Sequence, residues 1–227
     1  MIHYLFDIDG TLLRAGGAGA RALTRVMEAR HGVADACRGL TAAGRTDPDI
    51  VRELFERALG RAPTTAEIED VIAAYLEELE RTLAGPASTL RVLPGARAAL
   101  DWLAGRDRVS LAIATGNVRG GARIKLDHAG LADRFDLDRT GGYGCDSPIR
   151  AELVARAVER AGAGAADTVV VVGDTVHDVS AARAVGALCV AVTTGGDRAE
   201  VLAGAGADVV IDHLDALASW HDQRFAG

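Results

Sequence analysis

Five short apolar runs, at residues 2–8, 109–114, 169–172, 187–192 and 209–211, limit what this chain can fold into. Each is rich in Val, Ile, Leu or Ala and is followed by or ends at Gly, Asp or Thr. Continuous apolar runs of this length fit strands buried on both faces, as in parallel sheets. Helical patterns separate the later runs, over residues 95–104, 119–128, 150–160, 179–185 and 198–205. Strand alternating with helix predicts an α/β fold, a Rossmann-like doubly wound parallel sheet with right-handed crossovers.

Residues 18–89 break that rhythm, holding helical periodicity and no strand-like run. Residues 20–31 read as one helix. Residues 48–59 read as a second, with Asp47 as its N-cap and Pro48 in the first turn. Residues 65–83 read as a third, opened by Thr64 with Glu67 three residues on, a capping-box pattern. About seventy residues is long for a crossover, so an inserted helical cap is expected. The predicted division is a core of residues 1–15 and 90–227 and a cap of 16–89, joined through Gly16, Gly17, Gly85, Pro86 and Pro94. A length of 227 residues suits a core with a smaller insert, and 49% apolar residues suffice for its interior.

A net charge of −7 disfavours nucleic-acid binding. No run approaches the roughly 20 apolar residues of a membrane span. The N-terminal MIHYLFDIDG places aspartates where a secretory apolar region would run. Cys37, Cys145 and Cys189 stand far apart, which fits a reducing compartment without structural zinc. The expectation is a cytoplasmic protein acting on small molecules. Lys125 is the only lysine among 25 basic residues.

Three segments carry chemistry. In FDIDGT, Asp7 and Asp9 are spaced i, i+2 and leave a strand end on one side, at the edge where open α/β sheets bind ligands. Gly10 and Thr11 form a turn that holds something close. LAIATGN delivers Thr115, Gly116 and Asn117 to the same edge, where a hydroxyl and backbone N–H groups suit an oxyanion. VVVVGDTVHD brings Asp174 and Asp178 to face the first pair. Four carboxylates repel unless a cation sits among them, and an all-oxygen set fits magnesium. Taken singly, each segment also reads as ordinary turn or capping chemistry.

Together and in this order, these motifs resemble the haloacid dehalogenase superfamily of phosphohydrolases over nearly the whole chain. The resemblance implies that Asp7 is a nucleophile forming a phospho-aspartyl intermediate and Asp9 the general acid/base. It implies that Asp7, the backbone carbonyl of Asp9, and Asp174 hold Mg²⁺, with Asp178 supporting them, and that Thr115 binds the transferring phosphoryl group. The family's usual lysine before the last motif is absent. Arg150, in DSPIRAEL, takes that place, and Lys125 is assigned to the solvated surface. In AGRTDP, Arg45 and Thr46 either form a substrate loop or merely cap a helix. His177 and Cys145 carry no assigned role.

The activity these readings imply is Mg²⁺-dependent hydrolysis of a small phosphomonoester, closest to phosphoglycolate phosphatases. A dehalogenase would lack the second aspartate and the metal acids. A phosphonatase would need a cap lysine, and the cap has none. A sugar phosphomutase shares Asp7 and Asp9, and a catalytically inactive binding protein is the alternative from another class.

Overall fold

The computed structural model describes residues 1–225, and all five apolar runs form strands of one sheet. These are β1 (Ile2–Phe6), β4 (Val109–Ile113), β5 (Thr168–Gly173), β6 (Leu188–Val192) and β7 (Val209–Ile211), all parallel, in the order β4-β1-β5-β6-β7. Along β1, Tyr4 and Phe6 enter one core while Leu5 enters the other, and none of the three is exposed. Burial on both faces explains why the run is apolar throughout rather than alternating.

Helices α4 (Ala96–Ala104) and α5 (Arg119–Ala129) cover the Tyr4 face. Helices α6 (Arg150–Arg160), α7 (Val176–Ala184) and α8 (Ala199–Ala205) cover the Leu5 face. Helix α7 starts before the expected residue 179 because Thr175 and Asp178 form a capping box that nucleates it three residues earlier. A last helix, α9 (Leu217–Phe225), was not expected. Its His221 ring nitrogen pairs with the Tyr4 hydroxyl at 2.7 Å, a partner 217 residues away.

Helices α1 (Ala18–His31), α2 (Asp47–Leu59) and α3 (Thr65–Ala84) form the inserted block. The Thr64–Glu67 capping box is present at α3. At α2 the cap is Thr46, not Asp47: its hydroxyl accepts the Asp49 N–H at 3.3 Å, which frees the Asp47 carboxylate for another contact. The block's apolar residues, among them Leu23, Ile50, Leu54 and Tyr75, belong to the same core as Tyr4 and Phe6. A short antiparallel ribbon brackets it, β2 (Leu13–Arg14) on β3 (Arg91–Val92), pairing Leu13 with Val92 and Arg14 with Arg91.

Candidate active site

Parallel register brings the chemistry to one edge. Phe6 is level with Ile113 and with Val172, so Asp7, Thr115 and Asp174 all emerge where β1, β4 and β5 end. The chain beyond β1 turns at Gly10, whose φ of +88° favours glycine, and a Cβ there would lie 2.5 Å from Asp174 Oδ2. A cavity of 560 Å³ lies over this edge beneath the inserted helices.

Asp7, Asp174 and Asp178 are buried with carboxylate oxygens within 4.8 Å of one another. Arg150 is the cation among them: its Nη2 lies 3.0 Å from Asp7 Oδ1 and 2.5 Å from Asp178 Oδ1. Asp178 has its other oxygen occupied by the Thr175 N–H and hydroxyl, at 3.1 and 2.7 Å. It therefore anchors Arg150 and the start of α7, behind the cavity wall. Among the described residues Asp174 accepts only from neutral donors, the Thr11 hydroxyl at 3.1 Å and the Gly196 N–H at 3.2 Å. Burial, together with the charges of Asp7 and Asp178, pushes the Asp174 pKa up to about 8. Burial also raises Asp7 to about 6, against the pull of Arg150. Excess negative charge held away from water, presented entirely by oxygens, fits a hard divalent cation.

Asp9 stands two residues from Asp7 and has different partners. Lys125 Nζ donates to its Oδ2, and Asn117 Nδ2 donates to the same oxygen at 2.9 Å. Lys125 is only 5% exposed, which overturns its assignment to the solvated surface. Helix α5 begins at Arg119, so Lys125 sits roughly 9 Å along it at ~1.5 Å per residue. Its side chain then runs back toward the N-terminus, as helical side chains do. Counting rise from Thr115 left out that backward reach. Burial alone would lower the Lys125 pKa, but the Asp9 and Asp47 carboxylates hold it above the ordinary value.

The loop before α2 sits directly on the TGN turn. The Asp47 N–H donates to Gly116 O at 2.9 Å, and Asp47 Oδ2 accepts the Val118 N–H at 2.8 Å. A Cβ on Gly116 would lie 2.0 Å from Arg45 O, so only glycine permits this approach. Asp47 is buried, and burial raises its pKa to about 6.

Other expected site residues separate into two groups. Gly10, Gly116, Asn117, Arg45 and Thr115 line the cavity, whereas Thr11 and Thr46 are buried outside its wall. The Arg45 guanidinium is already engaged: Nε donates to Asp49 Oδ2 at 2.8 Å and Nη1 donates to Glu53. Two hydrogen-bonding atoms of cavity-lining side chains, Asn117 Oδ1 and Arg150 Nε, are buried without a partner, capacity that a bound ligand can use. His177 is exposed beside the Gly44 loop, and Cys145 is exposed.

Sequence reading missed three contributors: Lys125, Asp47 and the 194–196 loop beyond β6. The signal for Lys125 was its being the single lysine of an arginine-rich chain. The loop carried only Gly-Gly after a strand, which marks any turn.

The family description "haloacid dehalogenase-like hydrolase" matches residues 3–186. A phosphoglycolate phosphatase of Rhodospirillum rubrum is 31% identical over 230 residues, covering 95% of this chain and 89% of that protein. A phosphoglycolate phosphatase of Pseudomonas fluorescens is 30% identical, covering 94% of this chain and 77% of that one. The crystal structure of a hydrolase from Pseudomonas syringae superposes with a TM-score of 0.73 at 24% identity, covering 100% of both chains.

Proposed function

The chain belongs to the haloacid dehalogenase-like hydrolase family and is a phosphoric monoester hydrolase; we propose that it works with Mg²⁺ through a phospho-aspartyl intermediate on Asp7. Its substrates are small phosphomonoesters, with carboxylate-bearing ones such as 2-phosphoglycolate first, as the names of two relatives suggest. One observation carries this reading: the two carboxylates of FDIDGT are held by different cations, Asp7 by Arg150 and Asp9 by Lys125. Separate environments give two like groups separate tasks.

Asp7 is buried and faces Arg150, so its carboxylate attacks phosphorus without a base to activate it. Asp7, Asp174 and the Asp9 backbone carbonyl would hold Mg²⁺, with Asp178 bracing Arg150 behind them. When bound, the metal supplies the positive charge that lets the carboxylate and the phosphoryl group approach. Thr115 and the N–H groups of the turn after it receive phosphoryl oxygens. As the P–O bond to the leaving group breaks, Asp9 delivers a proton to the departing oxygen. Asp9, now a carboxylate, takes a proton from water, which attacks phosphorus and releases Asp7 and inorganic phosphate. Lys125 and Asn117 fix the Asp9 carboxylate for both transfers. The inserted helices act as the lid over residues 1–15 and 90–227.

The test is phosphate release from p-nitrophenyl phosphate with and without Mg²⁺, by the native protein and by Asp7→Asn. The native protein turns over only with metal, and folded Asp7→Asn does not. Turnover by folded Asp7→Asn would remove the covalent mechanism.

A further inference from the structure

We infer that the carboxylate of the substrate's leaving portion is read by Arg14 and Arg91, a cross-strand arginine pair in the β2–β3 ribbon, and not by Arg45 of the inserted block. This inference rests on the phosphomonoesterase reading and assigns the other end of the same cavity.

Five cationic side chains line the cavity: Arg14, Arg45, Arg91, Lys125 and Arg150. Three are neutralised by carboxylates. Arg150 faces Asp7 and Asp178, Lys125 faces Asp9, and Arg45 faces Asp49 and Glu53. Partners on both sides raise the Arg45 pKa against the effect of burial, and recruiting it for a substrate would mean breaking both contacts. Among the described residues Arg14 donates only to backbone carbonyls, those of Thr194 at 2.5 Å and Gly195 at 3.3 Å. The Arg91 side chain makes no hydrogen bond or ion pair among the described residues, and it is exposed. Among the described residues, cavity cations without a counter-ion are therefore confined to this pair.

The ribbon geometry sharpens the assignment. Arg14 and Arg91 are directly paired across an antiparallel ladder, so both side chains leave the same face. Like charges set opposite each other weaken a ribbon, and an anion between them reverses that effect. Guanidinium groups also match a carboxylate with two parallel N–H donors. Arg14, tied to the 194–195 carbonyls, places one of them beside the loop whose Gly196 N–H holds Asp174. The cavity wall also carries apolar side chains, Leu23, Leu40, Ile50 and Tyr75. The chemical class this fits is a phosphorylated hydroxy acid: phosphate at the Asp7 end, carboxylate at the ribbon, and an uncharged body between. A cavity of 560 Å³ has room for alcohols longer than glycolate.

The test compares 2-phosphoglycolate with p-nitrophenyl phosphate, whose leaving group has no carboxylate, on Arg91→Ala and Arg45→Ala. Arg91→Ala removes no side-chain hydrogen bond or ion pair among the described residues. It is expected to raise KM for 2-phosphoglycolate about tenfold or more, the loss of one charge-assisted contact. KM for p-nitrophenyl phosphate stays within about twofold, and Arg45→Ala shows no such selectivity. Arg91→Lys recovers part of the loss. Equal effects of Arg91→Ala on both esters, or on neither, overturn the assignment, as does selectivity shown by Arg45→Ala instead. Calorimetric binding of 2-phosphoglycolate to Asp7→Asn protein, with and without Arg91→Ala, tests the same contact without turnover. Weakened binding of a sugar bisphosphate with 2-phosphoglycolate unaffected would reassign the pair to a second phosphate and overturn the carboxylate. Failure of the native protein to hydrolyse p-nitrophenyl phosphate with Mg²⁺ would instead remove the phosphomonoesterase reading, and the calorimetry would still decide the arginine pair.

Discussion

Burying an ammonium costs several kcal/mol unless opposite charges face it, so Lys125, at 5% exposure, is held by what surrounds it. Asp9 from the turn after β1 and Asp47 from α2 supply that charge, and Lys125 fixes the carboxylate assigned to proton transfer. Lys125→Met keeps most of the volume and removes the charge. It is expected to lower kcat on alkyl phosphates about a hundredfold or more, within the 10²–10⁴ range of acid–base effects. Activated aryl phosphates, whose leaving groups need less protonation, should lose less. Lys125→Arg should retain part of the rate, and steady-state kinetics on the two ester types checks both. Equal losses on both ester types would show that Lys125 only supports the fold.

At the scale of elements, the contact of the 45–47 loop with the TGN turn joins the inserted helices to the sheet edge, beside the packing of α3 on α5 that includes the His128–Glu80 bond at 2.9 Å. The loop contact comprises two hydrogen bonds of Asp47, one donated by its N–H and one accepted by its carboxylate, and a close approach allowed by Gly116. Gly116→Ala places a methyl 2.0 Å from Arg45 O and 3.2 Å from Arg150 Nη1, so the loop must lift. The expected outcome is a fall in kcat/KM of about tenfold or more, because a lid that cannot seat leaves water in the site. Cys37, which lines the cavity, should then react faster with a thiol reagent while the exposed Cys145 serves as reference. A different element gives the contrasting case. Thr64→Ala breaks the α3 capping box on the outer surface and should cost about 1 kcal/mol of stability, measured by denaturant unfolding, with kcat/KM unchanged.

Across the whole molecule, the buried acids tie stability to pH and to metal. Asp7 and Asp47 rise to about 6 and Asp174 to about 8, from an ordinary 3.8. A carboxyl whose folded pKa is raised contributes stability that is complete below the unfolded pKa and disappears as pH rises through the folded one. The metal-free protein should therefore lose stability between about pH 5 and pH 8. Lowered acids such as Glu67 and Asp167, both near 2, complete their contribution below that window. Mg²⁺ favours the ionised acids, so the rise in Tm that it causes should grow with pH, as differential scanning calorimetry in EDTA and in Mg²⁺ would show. A metal effect independent of pH would count against Asp7 and Asp174 as ligands. Excess Ca²⁺, which takes more ligands at longer distances, should inhibit turnover by holding Asp7 in a non-attacking pose.

The apolar runs by themselves determined the sheet, because a strand buried on both faces must be continuously apolar, and Tyr4, Leu5 and Phe6 are. The motifs at the ends of those runs placed Asp7, Asp9, Thr115 and Asp174 on one edge, since parallel strands in register end together. The family resemblance pointed to Arg150, the first residue of α6, as a cation, and its Nη2 lies 3.0 Å from Asp7 Oδ1. Other features depended on reach and on approach between distant segments, which one-dimensional spacing does not encode. Lys125 bends back along its helix to Asp9, 116 residues away in the chain. Asp47 gives up its capping task to Thr46 and bonds to Val118, 71 residues on. Arg14 and Arg91 become neighbours only because two-residue strands pair across the inserted block, and strands that short leave no periodic signal. Arg45, free to grip a substrate in the sequence, is bound to Asp49 and Glu53, because a helix sets those carboxylates on the side its guanidinium reaches.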